Sequence, residues 1–218
     1  MIGFGQIYKI CSPFTITSLR KMKRLHESVV YINNNSIEGD FVECGVYKGG
    51  SVMNMALSQL AFDRKVHIYL YDTFEGMTPS GDYDVSYEGI TAKDLLRRRP
   101  KARCVCSLDQ VKSNLKLTGY SNSLLHYHKG DVADTLKQGN APEKVSLLRL
   151  DTDWYESTKI ELEVLYPRLA KGGVLILDDY GYWKGARKAT DDYFNAYGIK
   201  PNFKPIDEGI GAVLHIKL

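Results

Sequence analysis

The chain has 218 residues, with 29 Lys and Arg against 26 Asp and Glu for a formal charge of +3; a chain of this length is expected to fold as about one domain that buries roughly 70% of its unfolded surface. Apolar residues at 44% and charged residues at 25%, with a mean hydropathy of -0.28, exclude a disordered or fibrous chain, and the small net charge gives no footprint for nucleic acid. No apolar stretch approaches the roughly 18 residues of a membrane span, and Gln6 and Lys9 interrupt any signal-peptide core, so the expectation is a cytoplasmic protein without membrane insertion.

Leu19, Met22, Leu25, Val29 and Ile32 recur every three or four residues and predict an amphipathic helix from Ser18 to about Asn33. Short apolar runs then alternate with helical stretches. The runs Phe41–Cys44, Val66–Tyr71, Leu124–Tyr127, Val145–Leu150 and Val174–Leu177 read as strands of a parallel sheet. Between them Ser51–Phe62, Ser107–Leu117, a short turn at Val132–Leu136, and Tyr155–Ala170 read as helical, with Gly172-Gly173 as the stop of the last. This alternation indicates an α/β doubly wound fold. At the C-terminal end Ala186–Ala196 predicts a helix, and Phe203–Ile206 and Ala212–Ile216 flank an Asp207-Glu208-Gly209 turn suited to an antiparallel hairpin.

One long segment, Phe74–Gly89, carries no periodic pattern, and a loop of that length inside a domain is functional or mobile. Arg97, Arg98 and Arg99 form the dense basic run of the chain and read as a solvated helix end rather than a phosphate site. Cys11, Cys44, Cys104 and Cys106 include no CxxC pair and read as reduced thiols.

The first strand runs into Glu43-Cys44-Gly45-Val46-Tyr47-Lys48-Gly49-Gly50-Ser51. Glycines at a strand-to-helix turn let a ligand approach the backbone, and the helix start offers free N–H groups. Neither G-x-G-x-x-G nor a P-loop Lys-Ser/Thr pair is present. The second strand ends at Asp72, whose carboxylate can accept from both hydroxyls of a ribose; Gly45 and Asp72 together point to an adenosine-containing cofactor. A branched side chain at Gly45 is expected to block that cofactor while leaving the fold intact.

Strand four ends in Asp151-Thr152-Asp153 and strand five in Asp178-Asp179. If these strands are neighbours, four carboxylates converge at the sheet edge that holds ligands in open α/β folds, and they require compensation. An all-oxygen set favours a hard cation, Mg²⁺, with Mn²⁺ or Ca²⁺ able to replace it. Asp178 and Asp179 can both reach one ion only if the strand ends at Asp178. Asp151 and Asp153, two residues apart on an extended strand end, are expected to share a face. His126 and His128 read as packed or solvent-facing. Asp131 could bound an adenine pocket or cap the Val132–Leu136 turn. Tyr83, Tyr87, Tyr180 and Tyr182 read as scattered surface aromatics rather than as a sugar-stacking wall.

The stretches Gly39–Val46 with Gly49-Gly50-Ser51, Tyr71–Gly76, Leu147–Asp153 with Tyr155-Glu156-Ser157-Thr158, Leu165–Leu169, and Asp178–Gly181 resemble the macrocin O-methyltransferase (TylF-like) family. The match runs from about Ser18 to the C-terminus. The resemblance implies a seven-stranded class I methyltransferase fold, Rossmann-like with a C-terminal antiparallel hairpin. It implies S-adenosylmethionine, Mg²⁺ and a sugar or glycan-precursor acceptor with a free hydroxyl. It places metal ligands on Asp151, Asp178 and Asp179, a catalytic pair on Asp153 as base and Asp151, and the cofactor on Glu43, Cys44, Gly45, Val46, Gly49, Gly50, Ser51 and Asp72; Asp131 joins that cofactor set on its own position after the third strand. The expected organisation is an N-terminal helical or lid segment, 1–38, followed by a methyltransferase domain, 39–218, in a chain expected to work as a homodimer. The alternatives are a catechol-type O-methyltransferase, a nicotinamide-dependent sugar enzyme, which the missing G-x-G-x-x-G argues against, and a non-enzymatic cofactor-binding subunit of a glycan assembly complex.

Overall fold

A computed structural model describes residues 2–207 and 211–218. Along the chain run α1 (Phe4–Cys11), α2 (Leu19–Asn34), β1 (Asp40–Cys44), α3 (Gly50–Gln59), β2 (Ile68–Asp72), α4 (Ala92–Arg98), α5 (Leu108–Lys116) and β3 (Leu125–Lys129). They are followed by α6 (Val132–Thr135), β4 (Val145–Leu150), α7 (Tyr155–Leu165), β5 (Leu169–Leu177), α8 (Lys184–Ala196), β6 (Lys204–Pro205) and β7 (Val213–Ile216). The strands form one seven-stranded sheet in the order β3-β2-β1-β4-β5-β7-β6. The first five in that order are parallel, and β7 runs antiparallel to both β5 and β6. This is the expected doubly wound α/β architecture with its antiparallel C-terminal strands.

Successive strand residues face opposite sides of the sheet, and the two cores follow that alternation. Phe41, Ile68, Leu147, Val174 and Ile176 pack beneath α1, α2, α3 and α5. Val42, Tyr71, Leu148, Leu175 and Leu177 pack against α6, α7 and α8. Ile7 and Cys11 of α1 and Met22, Leu25, Val29 and Ile32 of α2 belong to the first core, so the N-terminal helices are packed into the domain. The Ser18 hydroxyl caps α2 by accepting from the Lys21 amide. Among the described residues no helix is long and apolar enough to cross a membrane.

Several boundaries differ from the sequence reading. Helix α7 stops at Leu165, not Ala170, because Tyr166-Pro167-Arg168 forms a 3-10 turn: proline lacks the amide a helix interior needs and its ring clashes with the preceding turn. The glycines expected to stop that helix lie inside β5 instead, with Gly172 at φ +78°. Helices α1 and α4 were not among the expected elements; α1 is short, and α4 follows the irregular loop. The predicted Phe203–Ile206 strand contracts to Lys204–Pro205, and β7 starts at Val213 rather than Ala212. Of the expected hairpin turn, Glu208 and Gly209 lie outside the described residues.

Register decides where the chemistry sits. Cys44 pairs with Tyr71 and with Leu150, and Leu150 pairs with Leu177. The residues that follow, Gly45, Asp72, Asp151 and Asp178, therefore emerge side by side at the carboxyl edge of the sheet.

Candidate active site

A cavity of about 530 Å³ opens over these strand ends. At one end Gly45 turns the chain at φ +84°. A Cβ there would collide with the Asp151 carbonyl oxygen, so close passage of β4 demands glycine as much as any ligand does. Asp72 holds the turn: its Oδ2 accepts from the amides of Val46 (2.6 Å) and Tyr47 (3.0 Å), and its Oδ1 from the amide of Phe74 (2.7 Å). The Thr73 hydroxyl also stands 3.4 Å from Oδ1, so the turn itself takes up most of the roughly four acceptor positions that a carboxylate offers. Gly45, Val46, Ser51, Asp72 and Asp131 line the cavity; Asp131 also caps α6, its Oδ1 accepting from the Ala133 amide at 2.9 Å. Glu43, Cys44, Gly49 and Gly50 do not line it. Glu43 turns to Arg149, Cys44 is buried beneath α7, Gly49 caps α3 at φ +88°, and Gly50 faces Phe14 and Thr15 at a distance that leaves no room for a Cβ.

At the other end Asp151, Asp153, Asp178 and Asp179 converge as anticipated, since β5 ends at Leu177, before both of its aspartates. One carboxylate oxygen each from Asp151, Asp178 and Asp179 lie within 4.8 Å of one another. Their compensation is partly built in, which the sequence reading missed. Arg149 is 2% exposed and contacts Glu43, Asp151 (2.9 Å) and Asp178 (2.7 Å). Lys21 of α2 reaches Asp178 at 2.6 Å. Burial opposes ionisation of Asp178, but Arg149 and Lys21 outweigh it and hold its carboxyl below the ordinary value. Burial, reinforced by neighbouring carboxylates, pushes Asp151 and Asp179 well up. Glu43 is raised to about 7 by burial despite its arginine. An arginine inside the run Leu147-Leu148-Arg149-Leu150 was the available signal, because a buried cation requires acids around it.

Asp153 does not lie on an extended strand end. Its φ is +69°, a conformation rare outside glycine and found at functional sites. The Trp183 indole N–H donates to its Oδ1 at 2.7 Å, and the Asp179 carboxyl is a close electrostatic neighbour. Burial and Asp151 push its pKa up to about 7. Behind the cluster Glu161 is fully buried, accepts from the Thr152 hydroxyl at 2.9 Å, and is raised to about 8 by burial.

The remaining walls come from elements the sequence left unassigned. Trp154 and Trp183 meet edge to face at 5.0 Å and pack with Leu96 of α4. Tyr182 lines the cavity and packs on Trp183 and Tyr87, whereas Tyr180 packs on Phe203 and Tyr83 on Tyr155. Arg99, at the end of the basic run, also lines the cavity. So does Cys104, whose thiol burial raises to about 11. The loop 74–89 is fastened at several points: Asp84 accepts from the Tyr155 amide at the start of α7, and the Trp154 indole donates to the Thr78 carbonyl at 3.0 Å. His126 and His128 stand away from the cavity, stacked on Tyr69 and Tyr71.

The profile of the macrocin O-methyltransferase (TylF) family matches residues 11–214. The chain belongs to that family. The curated relatives that it matches are O-methyltransferases, and the chain is an enzyme of that kind. It is 31% identical over 194 residues, 88% of this chain and 72% of the relative, to the 8-demethyl-8-(2,3-dimethoxy-alpha-L-rhamnosyl)-tetracenomycin-C 4'-O-methyltransferase of Streptomyces olivaceus. It is 30% identical over 197 residues, with the same two coverages, to the demethyldecarbamoylnovobiocin O-methyltransferase of Streptomyces niveus. Among solved structures, the O-methyltransferase NovP superposes with a TM-score of 0.81 at 28% identity, covering 94% of this chain and 82% of NovP.

Proposed function

We propose that the chain transfers the methyl group of S-adenosylmethionine to a hydroxyl of a sugar, a glycosylated small molecule or a glycan precursor, with Mg²⁺ as cofactor and Mn²⁺ or Ca²⁺ as possible substitutes. The observation that carries this reading is the single cavity that joins the Gly45–Asp72 turn to the aspartate cluster. The relatives support the acceptor class, since the tetracenomycin enzyme is named for a rhamnosyl compound.

The aspartates fit a hard cation. Three carboxylate oxygens are within reach of one point, and Asp179 Oδ2 is buried with no hydrogen-bond partner. Among the described residues, these carboxyls together with Glu43 and Asp153 make five, and the cations paired with them are Arg149 and Lys21. Asp151, Asp178 and Asp179 would hold the ion, which when bound supplies Lewis acidity that lowers the pKa of a nearby hydroxyl. Gly45, Val46, Ser51, Asp72 and Asp131, which line the cavity, would hold the donor, which when bound would supply a methyl on a sulfonium and need no acid for its thioether to leave.

The chain's own residues do the rest. Asp153, with a pKa of about 7 and a carboxylate aimed by the Trp183 indole, takes the acceptor's proton as the oxygen attacks. Arg149 and Lys21 keep Asp178 ionised. Trp183, backed by Trp154, forms an apolar wall at the reacting end of the cavity and limits water there, which strengthens the charge interactions.

The test is labelled methyl transfer to a panel of glycosides and cell-envelope glycan precursors, alongside calorimetry with S-adenosylhomocysteine. Transfer that EDTA abolishes and Mg²⁺ restores supports the full reading. Absence of S-adenosylhomocysteine binding overturns it, and full turnover in excess chelator returns the aspartates to an internal ion-pair network. The homodimer belongs to the same proposal, and light scattering of the purified chain checks it.

A further inference from the structure

Arg97, Arg98, Arg99, Lys101 and Arg103 place five cations in seven residues at the end of α4 and in the 3-10 turn Pro100–Arg103 that follows. Set those five aside from the 29 Lys and Arg, and the rest of the chain carries fewer cations than its 26 acids. A solvated helix end accounts for two of them. Arg97 pairs with Asp94 at 3.1 Å, and Arg97 and Arg98 sit in the last turn of α4, where the helix dipole favours positive charge.

Arg99 is different. It lies past the last turn with φ -130°, and it lines the cavity beside Leu95 and Ala102. Among the described residues its guanidinium has no ion pair and no side-chain hydrogen bond. It is not balancing the acidic floor, because Arg149 and Lys21 contact those carboxylates directly. Its place is the acceptor half of the cavity: Leu95 and Ala102, which flank it in the chain, pack with Tyr182 on the cluster that contains Trp183, and the Trp183 indole donates to Asp153. An unpaired guanidinium fork at the mouth of a cavity, with Lys101 and Arg103 adding to its field, matches a multiply charged anion that offers several oxygens.

We propose that the acceptor is a phosphorylated sugar, a glycosyl phosphate or its nucleoside diphosphate ester, whose hydroxyl reaches Asp153 while its phosphate is held at the cavity mouth by Arg99. This rests on the methyltransferase reading above and names its substrate class. The phosphate takes no part in the transfer; it sets which hydroxyl arrives at the base. A sugar carboxylate, with one charge, would use the same guanidinium less fully.

The experiment uses the full chain saturated with S-adenosylhomocysteine, and binding of that ligand is measured first by calorimetry. Inorganic pyrophosphate is then titrated into the wild-type chain, Arg99→Gln, and Lys93→Gln, which removes one exposed charge from the same helix away from the cavity. Expected are measurable pyrophosphate binding to the wild type, a loss of about tenfold or more in Arg99→Gln, and no change in Lys93→Gln, with thermal midpoints confirming that both variants fold. Methyl transfer is then compared for one sugar as a neutral glycoside, a uronate, a 1-phosphate and a nucleoside diphosphate. Lower KM for either phosphorylated form, raised by Arg99→Gln with kcat little altered, supports the proposal, and the better of the two identifies the source of the phosphate. Equal pyrophosphate binding to wild type and Arg99→Gln, or preference for the neutral or uronate form, overturns it while intact S-adenosylhomocysteine binding leaves the methyltransferase reading standing. Failure of S-adenosylhomocysteine to bind overturns both.

Discussion

A guanidinium inside an apolar strand persists only where acids meet it, and Arg149 is met by Glu43, Asp151 and Asp178. Removing one partner from such a network leaves uncompensated buried charge, which costs about 3–5 kcal/mol. Arg149→Met is therefore expected to lower stability to urea by that order, and Glu43→Gln in the same chain to restore part of it. If Arg149→Met unfolds at the wild-type midpoint, the ion pairs contribute nothing net. Asp153 raises a different question, because its left-handed backbone is tolerated by asparagine better than by most residues. Asp153→Asn should accordingly fold, bind S-adenosylhomocysteine normally, and lose about 10² to 10⁴ in kcat, the usual contribution of a positioned base. Near-normal kcat at neutral pH would mean that the acceptor proton leaves by another route.

At the scale of elements, the central parallel strands were legible because β2, β4 and β5 carry short apolar runs that lead into aspartates, and their register then fixed which aspartates meet. What escaped were features set by tertiary contact. Helix α4 is short and packs its Leu96 against Trp154 and Trp183, residues far away in sequence. The loop before it reads as formless, yet Asp84 is 2% exposed and accepts from the amides of Gly81 (2.7 Å) and Tyr155 (2.8 Å), tying the loop to the first turn of α7. Gly45 shows how a correct residue can carry an incomplete reason. The sequence suggests room for a ligand, whereas the structure shows β4 passing so close that no Cβ fits. Gly45→Ala is thus expected to destabilise the fold itself, by about 2 kcal/mol or more from the left-handed backbone and the clash together, rather than merely to block a cofactor. A thermal midpoint equal to wild type, with only ligand binding lost, would favour the simpler sequence-based reason.

Across the whole molecule, the site is assembled from both layers around the sheet: Lys21 arrives from α2 on one face, and Glu161 from α7 on the other. The aspartates could be named from sequence because they end apolar strands. Lys21 and Glu161 could not, because both are polar residues on amphipathic helices and nothing in their spacing tells which one turns inward. Glu161 makes that inward placement measurable. Burial first, then Asp179, lifts its carboxyl from the ordinary 4.5 to about 8, against the hydrogen bond from Thr152. Below pH 4.5 the group is protonated in both folded and unfolded chains and adds no pH dependence. Between 4.5 and about 8 the unfolded chain releases a proton that the native chain keeps, so stability falls as pH rises; above 8 both forms are ionised and the loss is complete. Glu161→Gln keeps an oxygen to accept from Thr152 but cannot ionise. Its stability relative to wild type, read from urea unfolding at pH 4, 6 and 9, is therefore expected to improve with each step. Glu43 and Asp153, raised in the same sense to about 7, are present in both chains and cancel in that difference. A difference that stays constant from pH 4 to 9 would mean that Glu161 reaches water or a counter-charge when the chain is folded, and that the acidic floor of the cavity is less sealed from the α7 layer than its burial indicates.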